Sequence, residues 1–138
     1  MKNVIKIPRL LLFGPLFALG LSACSPEVPV GEAEYPTKIV GYWQAQVGGT
    51  NETISFGADG TFVSTVRRSG FISNTLSQGV TDTIRGTWTI KGKVISFSIT
   101  SSEDVRVLNK VAASTIETFK TNELVVKSSN GSTATFVR

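Results

Sequence analysis

Histidine is absent from this chain, and cysteine occurs once, at position 24. Without histidine there is no Ser-His-Asp or Cys-His nucleophilic site and no histidine-ligated zinc, copper or iron. A lone cysteine closes no internal disulfide, so the fold must stand on packing. No glycine-rich phosphate cradle of the P-loop or dinucleotide type is present. Carboxylates are sparse, ten Asp and Glu in 138 residues. The adjacent Glu103 and Asp104 would point to opposite sides of a strand, the wrong arrangement for an acid/base pair. Calcium wants several oxygen ligands clustered in one loop, and no such run exists. The chain is therefore read as non-enzymatic, with no metal and no cofactor. Basic runs are also missing. The longest is Arg67-Arg68, and the other Lys and Arg residues alternate with Thr, Ser and acids, so no nucleic-acid partner is expected.

There is no hydrophobic run long enough to span a membrane. Leu10 to Leu21 is about a dozen residues interrupted by Pro15, whereas a spanning helix needs roughly 20. The run follows a charged start (Lys2, Lys6, Arg9), and the two together have the layout of an export signal. The formal charge of +4 on 14 basic and 10 acidic residues is shaped by that start. Its three basic residues set aside, 11 face 10 acids, a net charge of +1.

Leu21-Ser22-Ala23-Cys24 ends the apolar run and resembles the lipobox of bacterial lipoproteins. The resemblance implies that Cys24 receives a diacylglyceryl thioether, that the chain is cut before it, and that the new amino end is acylated. The partner so implied is membrane lipid, through fatty acyl (palmitate-type) chains on Cys24. Two or more such chains hold a protein stably where one holds it marginally. The alternative is a plain secretory signal cut near Ala23, with Cys24 a bystander. In enterobacterial lipoproteins Asp after the cysteine favours inner-membrane retention. Here that residue is Ser25, which leans towards the periplasmic face of an outer membrane in a host that has one.

Cleavage before Cys24 would remove residues 1–23 of 138 and leave 115, enough for one domain with one core. Residues 24–37 carry Pro26, Pro29 and Pro36, three glutamates and no apolar period; they read as the lipidated end and a flexible, extended tether, with an ordered first strand as the alternative. Residues 38–138 change texture to Thr, Val, Ile, Phe and Ser, with turn signals every 8–12 residues, the pattern of an antiparallel all-β domain.

Strands are expected over Ile39–Val47, Glu52–Phe56, Thr61–Arg68, Thr83–Ile90, Val94–Thr100, Ser114–Lys120, Glu123–Ser128 and Ser132–Arg138. The 101–110 stretch suits a strand or a short helix, the strand being favoured. Phe62, Ser64 and Val66 fall on one face, as do Ile84, Gly86, Trp88 and Ile90, and Ile95, Phe97 and Ile99. Ala58-Asp59-Gly60, Gly92 and Asn130-Gly131 mark turns. About eight strands on short links, with no helical heptads, predict an up-and-down meander that closes on itself and so removes exposed edges. Ser69 to Gly79, rich in Ser, Asn and Gly, reads as a long loop or a weak strand; Phe71, Ile72 and Leu76 are unexpected apolars in it, either candidates for a lid or contact surface or residues folded back onto the barrel mouth.

Three motifs recur in order: Gly41-Tyr42-Trp43, then Phe56-Gly57-Ala58-Asp59-Gly60-Thr61-Phe62, then Gly86-Thr87-Trp88-Thr89-Ile90, with Phe136-Val137-Arg138 at the close. The series is similar to the short lipocalin-like domains of bacterial envelope proteins and covers most of residues 38–138. The resemblance implies a small lipocalin-like barrel. Gly41, Trp43, Gly86, Trp88 and Arg138 are its structural signature, Trp43 plugging one end with Arg138 across its ring. It implies a non-enzymatic binding module for a hydrophobic or amphipathic small ligand, with Phe71 and Leu76 as ligand-binding candidates. The competing reading is a solid barrel that meets another envelope protein or serves as a structural element. The chain is shorter than a typical lipocalin, and an eight-stranded barrel can be filled by its own side chains.

Overall fold

In the computed structural model the described residues are 27–47, 50–66 and 83–138. Leu21, Ser22, Ala23, Cys24, Phe71 and Leu76 lie outside them.

Eight antiparallel strands form a closed barrel in the order β1 to β8, each paired with its sequence neighbour and β8 returning to β1. They are β1 (Gly41–Val47), β2 (Thr50–Phe56), β3 (Thr61–Val66), β4 (Thr83–Lys91), β5 (Val94–Ser101), β6 (Val111–Phe119), β7 (Glu123–Ser128) and β8 (Thr133–Val137). The expected all-β, up-and-down meander is the fold. Alternation explains it strand by strand. Phe62, Ser64 and Val66 are buried on β3 while Thr61, Val63 and Thr65 face out, and β4 and β5 repeat the pattern with Ile84, Gly86, Trp88 and Ile95, Phe97, Ile99 inward.

Turn chemistry sets the links. Gly60 takes φ +81° in the β2–β3 turn, a conformation glycine enters without steric cost. Asp59 shapes the same turn by accepting from the Thr61 amide at 3.0 Å and its hydroxyl at 2.6 Å. These bonds, the hydroxyl's first, hold the Asp59 carboxyl below the usual carboxylate range.

Two expectations are corrected. Residues up to Thr37 are not all extended tether. Pro29 bridges to Lys120, and the Val30 amide donates to the Phe119 carbonyl at 2.9 Å. Glu32–Glu34 then form a 3-10 turn, and Tyr35–Lys38 a single α-helical turn, α1. Pro36 sits in the first turn of α1, where its fixed φ suits a helix and its missing N–H costs nothing. Tyr35 and Ile39 are buried in the barrel core, so the packed domain begins ahead of Lys38, and Ile39 caps α1 instead of opening β1. The favoured strand over 101–110 is likewise absent. Val105 is 78% exposed and Val107 fully buried, whereas strand residues two apart share one face. Turns run over 105–109 instead. Asp104 accepts from the Arg106 amide and guanidinium, Asn109 takes φ +60°, and the Ile99 carbonyl receives the Asn109 amide at 2.9 Å. The Arg106 contact also lowers the Asp104 carboxyl below its usual range.

The meander gives the barrel two unlike rims. One carries the β2–β3, β4–β5 and β6–β7 turns, α1 and the C-terminus. The other lies at the opposite strand ends, where the described links are the β5–β6 and β7–β8 turns.

Candidate functional site

Inward-facing residues divide by chemistry along the barrel axis. Towards the rim with α1 the interior is aromatic. Tyr35 lies 5.1 Å from Phe119, and Phe119 meets Trp43 edge-on at 5.8 Å. Phe56 packs on Trp88 at 5.5 Å and on Phe97 at 6.1 Å, and Phe97 meets Phe62 at 5.1 Å. Offset and edge-on rings at these separations gain beyond the area they bury. Both indoles are pinned: the Trp43 N–H donates to the Ile39 carbonyl at 2.7 Å and the Trp88 N–H to the Gly57 carbonyl at 3.2 Å.

Arg138 seals this rim. Its guanidinium carbon lies 4.4 Å from the Trp43 ring centre. Its Nε donates to the Thr121 carbonyl at 2.9 Å and Nη1 to the Val40 carbonyl at 3.3 Å. One side chain thus joins the segment entering β1, the β6–β7 turn and the end of β8. It does so beside the β1–β8 seam, where the paired residues are Gln44 with Val137 and Ala45 with Phe136. The stacking that the resemblance implied for Trp43 and Arg138 is present.

Gly86 has a different function. A methyl placed there would lie 2.9 Å from the Ser98 carbonyl carbon, inside its oxygen's contact radius, and 3.0 Å from a Phe62 ring carbon. A register irregularity between Arg85 and Gly86 lets β5 approach at this point. Gly86, Trp88, Trp43 and Arg138 therefore share one role, packing and closing the barrel.

Towards the opposite rim no described inward residue is aromatic. The last described inward positions are Ala45 on β1, Glu52 on β2, Val66 on β3, Ile84 on β4, Ile99 on β5, Ala112 on β6, Ser128 on β7 and Ala134 on β8. Three polar features stand among them or, for Ser114, one inward position deeper on β6. Glu52 is buried and accepts from the Ser64 hydroxyl at 2.8 Å. Ser128 bonds Asn130 and the Ser132 carbonyl and so folds the β7–β8 turn over its own side chain. Ser114, 3% exposed and opposite Ser128 in the register, has a hydroxyl with no partner. An aliphatic half that also buries polar groups, facing an aromatic half, was not foreseen. Its signal was present, because Glu52 is two residues from Ile54 and four from Phe56 on a strand whose inward period is two.

Hollows on the outer surface are shallow. One of about 450 Å³ lies between the 3-10 turn and the β4–β5 turn, lined by Glu32, Pro36, Ile90 and Gly92. Another of about 460 Å³ follows the β1–β8 seam, lined by Gln44, Ala45, Thr135 and Val137. Among the described residues no three His, Cys, Asp or Glu side chains gather, and no helix is long and apolar enough to cross a membrane. Phe71 and Leu76 fall between β3 and β4 in the sequence, outside the described residues.

Comparison with protein-family models and with curated proteins finds no match for this sequence.

Proposed function

We propose that this is a lipid-anchored protein of the bacterial cell envelope, held by acyl groups on Cys24, whose small lipocalin-like barrel acts by non-enzymatic contact with another envelope component. Ser25 after the anchor favours the periplasmic face of an outer membrane. The observation that carries the choice of a contact module over a deep ligand calyx is the linked set of rings from Phe62 through Phe97 and Phe56 to Trp88, with Trp43, Phe119 and Tyr35 beside them. An eight-stranded barrel is just wide enough for side chains to fill, and these rings take up the α1 half of the interior, which a deeply buried hydrophobic ligand would need. Recognition then falls to the outer Thr/Ser faces and to the far rim.

A second reading has its own support. The unpartnered Ser114 hydroxyl, in the half that also buries Glu52 and Ser64, suits a small amphipathic ligand whose polar end enters from the far rim. Native mass spectrometry of protein made without its lipid separates the two. A contact module travels at its bare mass; a co-purifying small molecule contradicts that reading and favours the second. The anchor is tested by Cys24→Ala, which should move the protein from the membrane to the soluble fraction. Retention of the variant in membranes would count against lipidation.

A further inference from the structure

We infer that the barrel is mounted with its α1 rim towards the bilayer and its far rim towards the aqueous side. The inference rests on acylation of Cys24 and adds an orientation to it.

The chain enters the barrel at one rim only. Pro29 bridges to Lys120 and Val30 bonds to Phe119 in the turn region between β6 and β7, and α1 continues across that same end with Tyr35 and Ile39 buried. A residue of extended chain covers at most about 3.6 Å, so the five steps from Cys24 to Pro29 reach no more than about 18 Å. β4 has nine residues. At about 3.3 Å each and with the tilt of a closed barrel, the rims stand on the order of 20 Å apart. An acylated Cys24 therefore reaches the bilayer from the α1 rim, and its leash is too short to let the far rim lead. A longer tether, as the sequence suggested, would have left the barrel free to turn over.

Charge does not supply this orientation. The α1 rim sets Lys38, Lys91, Lys93, Lys120 and Arg138 against Glu27, Glu32, Glu34, Asp59 and Glu123, with Lys120 and Glu123 paired at 2.8 Å. A rim with balanced signs is neither drawn to nor pushed from an anionic headgroup surface. The mounting comes from where the chain is stapled, so it should persist at high salt. Its consequence is access: the half that holds Glu52 and Ser64 points away from the lipid.

The acylated full chain is reconstituted into phosphatidylcholine vesicles carrying a headgroup energy-transfer acceptor. Cys24 is the only native cysteine and its sulfur is consumed by the thioether, so a donor dye can be placed at Asn122→Cys on the α1 rim or at Ser129→Cys on the far rim. Transfer from position 122 should exceed that from 129 several-fold, at low and high salt alike. A flexible Gly-Ser insert of about 20 residues after Ser25, with a mean span of about 25 Å, should erase the difference. Equal transfer from both positions in vesicle-bound protein, or stronger transfer from 129, overturns the orientation and leaves the anchor standing. Protein that fails to float with the vesicles and carries an unmodified Cys24 overturns both.

Discussion

Arg138 and Ser114 illustrate opposite effects of single side chains. Arg138 stacks on Trp43 and donates to two carbonyls at the seam where the barrel closes. A cation over an indole is worth roughly 0.5–2 kcal/mol, so Arg138→Ala should destabilise by about 1–2 kcal/mol in urea unfolding. Arg138→Lys should recover little, because an ammonium cannot lie flat on the ring and span both carbonyls. Full recovery by lysine would reduce the contact to simple charge. Ser114 holds a buried hydroxyl with no partner. Removing an unsatisfied buried group relieves a desolvation cost of about 1–3 kcal/mol, so Ser114→Ala should be neutral or stabilising. Clear destabilisation of the purified protein would mean that the hydroxyl has a partner, a water or a ligand, and would strengthen the second functional reading.

At the scale of strands and turns, Gly86 is the sharpest case. Nothing larger than hydrogen fits between it, Ser98 and Phe62. Overpacking costs about 1–3 kcal/mol where neighbours can shift, and the obstacle here is backbone, so Gly86→Ala should lie at or above the top of that range. A thermal melt within experimental scatter of the parent would contradict the packing. The G-x-W pattern made this strand legible, as did the alternation of β3, β4 and β5. The asparagine, aspartate and glycine turns were also legible, because each encodes a local conformation in one or two residues. The 101–110 segment was not. Val105 and Val107 have strand spacing, but Asp104 binds the Arg106 amide and turns the chain before any strand can pair. Nor was α1 legible: four residues carry no helical period, and Tyr35 and Ile39 are recruited by the open end of the barrel, a demand made by residues distant in sequence. The polar group buried in the far half followed from a period that was read for Phe56 and Ile54 and not extended to Glu52.

As a whole, the molecule is a barrel with one aromatic, stapled end and one aliphatic end that also buries polar groups. With the chain's single cysteine at position 24, ahead of the barrel, its closure depends on packed rings, the Arg138 clasp and the short β1–β8 seam. Its proposed placement in the cell depends on a different group, the sulfur of Cys24. Both functional readings, and the orientation drawn from the docked segment at residues 29–39, require that sulfur to carry lipid. Intact-mass spectrometry of the native product from membranes tests this most directly. The account predicts a 115-residue chain beginning at Cys24 with its mass raised by a diacylglyceryl group and an amide-linked acyl chain. A mass matching the chain with its leader retained, or a mature chain with a free thiol, would contradict it.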